Sequence, residues 1–338
     1  MGREEQIIEN RIRKIAELKK LGINPYPHKY NVKNYASELQ AKYKKLKKNS
    51  STNNKVIVAG RLMTKRDLGK ISFSNLQDAS GKIQIVFHEG KTPKKEFEFF
   101  KKFIDSGDFI GVEGTIITTQ TGELSVLAKK INILGKAILP LPEKWHGLQD
   151  KEERYRKRYL DLIMSPEVKE VFEKREKIID IIREFMKSRG FVEVETPILQ
   201  NIYGGASAQP FKTHLNALNI DLFLAISPEM YLKRLVVGGF EKVFTICKNF
   251  RNEGIDAAHN PEFTMLEFYY AYSNYEILMK MTEELIKIIL NKLKLKNEIN
   301  YQGKKLNFRN IKRIKFTDIV KKETKIDINK ENTFEKLK

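Results

Sequence analysis

The chemistry of this chain is concentrated between residues 248 and 270, KNFRNEGIDAAHNPEFTMLEFYY. Arg251 and Glu253 are two apart, so an extended backbone puts both on one face. A guanidinium and a carboxylate facing the same way can grip opposite ends of a zwitterion or a nucleotide. Residues 254–258 contain Gly254 and read as a turn. A returning strand then carries Phe263 and Met265, and Glu267 and Tyr269, in the same alternation. The hairpin sets an arginine, two glutamates, a tyrosine and a phenylalanine over one surface. Taken alone, the same residues also suit a salt-bridged sheet surface above core aromatics.

The elements that must carry this hairpin alternate between strand and helix. Ser165-Pro166 reads as N-cap and first helical residue. Val168, Val171, Phe172, Ile178, Ile179, Ile182 and Phe185 follow at helical spacing, and Gly190 ends the run. Strand-like runs cover 191–195, 221–227, 241–247 and 264–272, with a helix at 228–237 and an Ile/Leu-striped helix at 276–293. The strands lie too close in sequence for easy parallel crossovers, so an antiparallel α+β sheet is expected. Neither standard glycine-rich phosphate loop is present.

Upstream, 55–63, 70–77 and 82–88 are short runs rich in Val, Ile and Phe, and Asp78-Ala79-Ser80-Gly81 joins the last two as a hairpin turn. A helix is predicted over 94–105, then strands over 109–118 and 124–134. Three strands, a helix and two strands is the order of the OB-fold, a five-stranded barrel that binds oligonucleotides. Residues 4–21 read as a basic helix with Ile7, Ile8, Ile12, Ile15 and Leu18 on one side. Residues 42–54, lysine-rich and polar, read as a linker. The expected division is a basic helix and linker over 1–54, the barrel over 55–138 and the sheet domain over 139–338.

Composition narrows the setting. Hydrophobic residues make up 41% of the 338, enough for sizeable cores, while 31% are charged and no run of 18 apolar residues exists to span a bilayer. The N-terminus lacks an apolar signal core. Cys247 is the single cysteine, which excludes a disulfide framework. A cytoplasmic protein with no membrane partner is expected. The net charge of +20 is uneven. Residues 1–50 hold 13 Lys/Arg against 5 Asp/Glu, and residues 292–338 hold 15 against 6. Basic ends on a near-neutral body suit a polyphosphate partner, through counterion release. A lysine-rich composition alone would look the same.

Phe250-Arg251-Asn252-Glu253 with His259-Asn260-Pro261-Glu262-Phe263-Thr264-Met265-Leu266-Glu267 resembles motif 2 of the class II aminoacyl-tRNA synthetases, in the lysine-specific form. Gly190-Phe191-Val192-Glu193-Val194-Glu195-Thr196-Pro197 is similar to motif 1. Gly204-Gly205-Ala206-Ser207-Ala208, Ser227-Pro228-Glu229-Met230-Tyr231-Leu232-Lys233-Arg234-Leu235 and Trp145-His146-Gly147-Leu148-Gln149-Asp150 also match, in family order.

The resemblance implies ATP-dependent attachment of lysine to tRNA-Lys through a lysyl-adenylate, with Mg2+ as the usual metal. It implies that Arg251 is the catalytic residue, bridging the α-phosphate and the amino-acid carboxylate. Glu253, His259, Asn260 and Phe263 join it in the ATP site, with Phe263 stacking on adenine. Gly205, Glu229, Glu267 and Tyr269 form the lysine pocket. Two carboxylates there suit a cationic side chain and not an acidic or amide one. The barrel is implied to bind the anticodon through Arg61, Phe73 and Gln84. Strand alternation alone would instead bury Phe73 with Ile71. Motif 1, around Pro197, implies a homodimer.

The sequence departs from the family in two ways. Gln209 stands before Pro210 where relatives commonly have arginine. The magnesium carboxylates and the arginine-bearing motif 3 are not visible, so no metal ligand is expected within the chain, and the sequence reads as a fragment that stops before motif 3. The alternatives are a non-catalytic tRNA-binding protein or one chain of a split synthetase. Cys247 is expected to be a core thiol.

Overall fold

A computed structural model describes residues 2–142, 150–256 and 258–330. Trp145 and His146, and the segment 334–338, lie outside the described residues. The chain forms two compact units, Met1–Ser165 and Pro166–Lys338.

The first unit opens with helices α1 (Arg3–Lys20) and α2 (Ala36–Lys42). Strands β1 (Ser51–Asp67), β2 (Ile71–Gln77) and β3 (Lys82–His88), helix α3 (Lys94–Phe103), and strands β4 (Phe109–Thr118) and β5 (Leu124–Gly135) follow. Two short helices, α4 (Lys151–Arg156) and α5 (Arg158–Met164), complete it. The strands close a barrel in the order β1-β2-β3-β5-β4, antiparallel except for β3 on β5. This is the expected OB order. Alternation builds it: Val56, Val58 and Leu62 from β1, and Ile110, Val112 and Ile116 from β4, all point inward. Helix α3 contributes Phe97, Phe100 and Phe103, one per turn, to the same core. The Phe100 ring stacks on Phe87 at 3.9 Å between centroids.

Two expectations are corrected here. Residues 51–54, read as linker, are the start of β1, with Ser51 paired to Ile117. Helix α1 does not bury the whole isoleucine face. Ile12 is 51% exposed, while Arg11 is buried. The Arg11 guanidinium donates to the carbonyls of Ser106, Ala137 and Leu139 at 2.9–3.1 Å, and Lys14 pairs with Asp105 at 2.7 Å. These bonds turn the helix away from its apolar stripe. Beneath them Lys136, fully buried, holds Asp105 and Asp108.

The second unit opens with helix α6 (Pro166–Ser188), then strands β6 (Val192–Glu193), β7 (Leu199–Gln200), β8 (Lys212–Leu215) and β9 (Ile220–Leu224). Helix α7 (Glu229–Val237), strands β10 (Lys242–Phe250) and β11 (Glu262–Tyr270), and helix α8 (Tyr275–Lys292) follow. A hairpin of β12 (Glu298–Tyr301) and β13 (Lys304–Asn307) and helix α9 (Phe316–Thr324) end the described part. β10 and β11 form a nine-residue antiparallel ladder, Lys242↔Tyr270 to Phe250↔Glu262. β6 adds to β10 in parallel, the one parallel pairing described in this unit. β7, β9 and β8 make a separate small antiparallel sheet. The unit is therefore α+β, as expected. One face of the ladder buries Phe244, with Ile246, Leu266 and Phe268, against α6 and α8 through Phe185, Met186 and Met281. The apolar stripe of α6 is only half used. Val171 and Phe172 are 63% and 48% exposed.

Candidate functional site

The ladder face opposite that core carries the predicted chemistry. Alternation places Thr245, Cys247 and Asn249 of β10 on it, opposite Glu267, Met265 and Phe263 of β11. Arg251 continues the row just past β10, its N–H donating to the Pro261 carbonyl at 2.9 Å. The Arg251 guanidinium lies 5.1 Å from the Phe263 ring centre, a cation–π distance. Its Nε is buried with no hydrogen-bond partner.

At the other end of the row Glu267 meets the start of α7. Ser227 Oγ donates to Glu267 Oε1 at 2.8 Å and accepts from the Glu229 N–H at 3.1 Å. One hydroxyl thus ties the Glu267 carboxylate to the backbone of Glu229. Gly205 presses against this junction at φ +87°. A Cβ there would lie 2.7 Å from Glu229 Cβ and 2.9 Å from Ser227 Oγ, so only glycine fits. Burial pushes the Glu267 carboxyl above the usual range, and the Glu229 charge adds to the push. Tyr269, on the same face, is pushed up to about 12 by burial and by both glutamates. A half-buried Glu267 carboxyl raised by a neighbouring glutamate marks a place short of positive charge. Lys233, one turn along α7, answers part of it by pairing with Glu229 at 2.6 Å.

The loop after Arg251 is exposed. His259 Nδ1 contacts Asp256 Oδ2 at 2.8 Å. Glu253 accepts from the Gln209 N–H at 3.1 Å, and the Asn252 N–H donates to the Gln209 carbonyl at 2.7 Å. Gln209 therefore ties the loop through its own backbone N–H and carbonyl. Asn260 is exposed at the base of the loop.

A second candidate surface lies on the barrel, a groove of about 1470 Å³ lined among others by Arg66, Phe73, Asn75, Gln84, His88 and Lys129. Phe73 is half-buried and faces the groove, while its neighbours Ser72 and Ser74 point into the barrel and are buried. The alternation of β2 is thus inverted relative to hydrophobicity, and pattern alone points the wrong way. Gln84 Oε1 accepts from Ser125 Oγ at 2.8 Å, which turns its amide N–H toward the groove. Arg61 is not among the lining residues. Its guanidinium donates to the Gly107 carbonyl at 2.9 Å and stacks on Phe109 at 4.2 Å. Arg66 lines the groove instead, as the cross-strand partner of Phe73.

These two surfaces match two families. Residues 56–134 match the OB-fold nucleic acid binding domain. Residues 150–337 match the tRNA synthetases class II (D, K and N), over more than half of the chain. The chain belongs to the class II tRNA synthetase family. Among named relatives, the lysine–tRNA ligase of Fervidobacterium nodosum is 46% identical over 95% of this chain and 63% of its own length. That of Fusobacterium nucleatum is 46% identical over 99% of this chain and 67% of its own length. Lysine–tRNA ligase 2 of Methanosarcina mazei is 48% identical over 91% and 60%. The chain thus spans about two-thirds of the length of the relatives it matches.

The structure brings the expected Arg251, Phe263, Glu267, Tyr269, Glu229 and Gly205 into one neighbourhood. Sequence reasoning missed Ser227 as the link between the two glutamates. It also missed Thr245, Cys247 and Asn249. Cys247 is not a core thiol: it lies half-buried on the site face, where burial and the Glu267 charge push it up. The two-residue period from 245 to 251 was the available signal. For the barrel, the signal for Arg66 was the register of the β1–β2 hairpin, set by the turn at 68–70. Among the described residues no three His, Cys, Asp or Glu side chains converge to hold a metal ion. The described residues therefore offer no such ligand set for the magnesium that the family implies.

Proposed function

We propose that this chain belongs to a lysine–tRNA ligase, with a barrel that reads the anticodon of tRNA-Lys and a second unit that binds lysine and the α-phosphate end of ATP. One observation carries the reading. Ser227 ties the Glu267 carboxylate to the backbone of Glu229, so that two glutamates stand at one end of a strand face, and an arginine with an unpartnered buried Nε stands at the other. Lysine is complementary to that layout, with ammonium groups for Glu229 and Glu267 and a carboxylate for Arg251. An acidic or amide side chain would leave the glutamates repelling it or unpaired, and a charged hydrogen-bonding pocket rejects such analogues by roughly four orders of magnitude.

In this reading the lysine carboxylate oxygen attacks the α-phosphorus of ATP. The new C–O–P bond forms as the bond to pyrophosphate breaks. Arg251 sits beside both reacting groups and stabilises the charge that builds on the phosphoryl oxygens. Phe263 offers its face to adenine, with Glu253, His259 and Asn260 around the nucleotide. Gly205 and Tyr269 wall the amino acid. Arg66, Phe73 and Gln84 offer a cation, a stacking face and a hydrogen-bond donor to single-stranded bases. A homodimer through the region around Pro197 is supported by exposed apolar side chains there, Ile198, Leu199 and Ile202. No helix among the described residues is long and apolar enough to cross a membrane.

The test is calorimetric titration of the 338-residue chain with lysine, arginine and glutamine, followed by lysine-dependent exchange of pyrophosphate into ATP. Lysine alone is expected to bind. Equal binding of glutamine, or none of lysine, would defeat the reading. Exchange would extend it from binding to the first chemical step.

A further inference from the structure

Buried polar atoms are almost always hydrogen-bonded, so the exceptions ask for a reason. Among the described residues five buried side-chain atoms lack a partner, and two of them are Asn249 Oδ1 and Arg251 Nε. They belong to residues two apart in sequence, in the row that runs along the site face of β10 and continues past its end. One atom is an acceptor and the other a donor. Asn249 is fully buried, so no ligand reaches it directly. Its amide is oriented: Nδ2 faces Cys247 Sγ at 3.8 Å, which turns Oδ1 to the opposite end of the amide. The row therefore reads as a polar rail with one joint left open, between Asn249 and Arg251.

We infer that Asn249 is a positioning residue for Arg251, its Oδ1 taking the Nε proton when substrate draws the guanidinium into place. With Nε held from below, the two terminal nitrogens of Arg251 are aimed together at a carboxylate or phosphate, the bidentate arrangement that gives an arginine its geometric selectivity. Without the joint the guanidinium keeps its charge but loses its heading. This rests on the lysine reading above and adds to it a residue that never touches the substrate.

The prediction is a selective loss. Lysine carries the carboxylate that Arg251 holds; lysinol keeps both ammonium groups and lacks the carboxylate. Asn249→Leu, close in volume and without an acceptor, should weaken lysine about tenfold, the scale of one hydrogen bond to a charged group, and leave lysinol unchanged. Asn249→Asp restores an acceptor and should return most of the lysine affinity. If Asn249→Leu fails to fold by circular dichroism, Asn249→Ser, whose shorter side chain cannot span the joint, is expected to show the same split. Equal loss of lysine and lysinol would mean general damage to the face and overturn the inference, as would no loss of either. A wild-type chain that binds lysinol but not lysine would show that Arg251 does not hold a carboxylate, and would overturn it too. A wild-type chain that binds neither compound defeats the lysine reading itself, a separate and recognisable failure.

Discussion

Phe73→Ala separates two places for one ring. In the structure the ring lies on the outside of the barrel, half-exposed beside Arg66 and Gln84, while the serines on either side fill the inside. Losing one base–aromatic stack costs about 1–3 kcal/mol, which at 1.4 kcal/mol per decade is roughly 5- to 150-fold in RNA affinity. Little core is lost, so the urea midpoint should move by a small amount only. Phe87→Ala is the contrast. Phe87 is fully buried against Phe97 and Phe100, and its truncation should cost about 3–5 kcal/mol of stability. The assays are fluorescence anisotropy with an anticodon stem-loop of tRNA-Lys and urea unfolding of each variant. If Phe73→Ala destabilises the barrel as Phe87→Ala does, the ring is a core residue. If it leaves RNA affinity unchanged, the groove is not the binding surface.

Three further outcomes are expected. Gly205→Ala must accept a left-handed φ, at about 1–2 kcal/mol, and displace Glu229 or Ser227; lysine binding should fall at least tenfold by calorimetry, while stem-loop binding stays unchanged. The raised Glu267 carboxyl gives a pH signature with a definite sign. The ionised form binds an ammonium, so lysine affinity should rise with pH through the raised pKa. The stability that this group contributes is full at acid pH and is lost over the same interval, and Glu267→Gln should flatten both curves. Lys136→Met leaves the buried Asp108 without its cation, while the part-exposed Asp105 keeps Lys14, and urea unfolding should show a loss of about 3–5 kcal/mol; a loss below 1 kcal/mol would mean that Asp108 finds another partner.

Most strands of the barrel were legible because they are short apolar runs bounded by turns that carry Gly and Asp. The inverted strand β2 was not, since Ser72 and Ser74 inside and Phe73 outside reverse the usual rule. Only the likeness to a family pointed the right way. Arg61 and Arg66 show the limit of counting along a strand. The register shifts between Leu62 and Thr64, so the odd–even alternation that counting assumes reverses across the bulge. Arg11 shows a different limit. Nothing in its neighbourhood marks it as buried, because its partners are carbonyls about 95 and more residues away. In the second unit the hairpin chemistry was visible from period two, but the Ser227 bridge joins residues 40 apart in sequence and is set by the fold.

The bonds made by Arg11 and Lys14 bear on how tightly salt should control RNA binding. Each cation that meets a phosphate steepens the fall of log affinity with log salt by about 0.7–0.9. Summed from the sequence, residues 1–50 promise eight excess positive charges. Yet Arg11 and Lys14 are turned into the protein, and so are Lys65, Lys136 and Arg61 further along, each donating to backbone carbonyls or to an aspartate. These five already have partners and release no counterions when RNA arrives. The chain should behave as a more weakly charged ligand than its +20 suggests, with a salt slope set by the few cations that rim the groove.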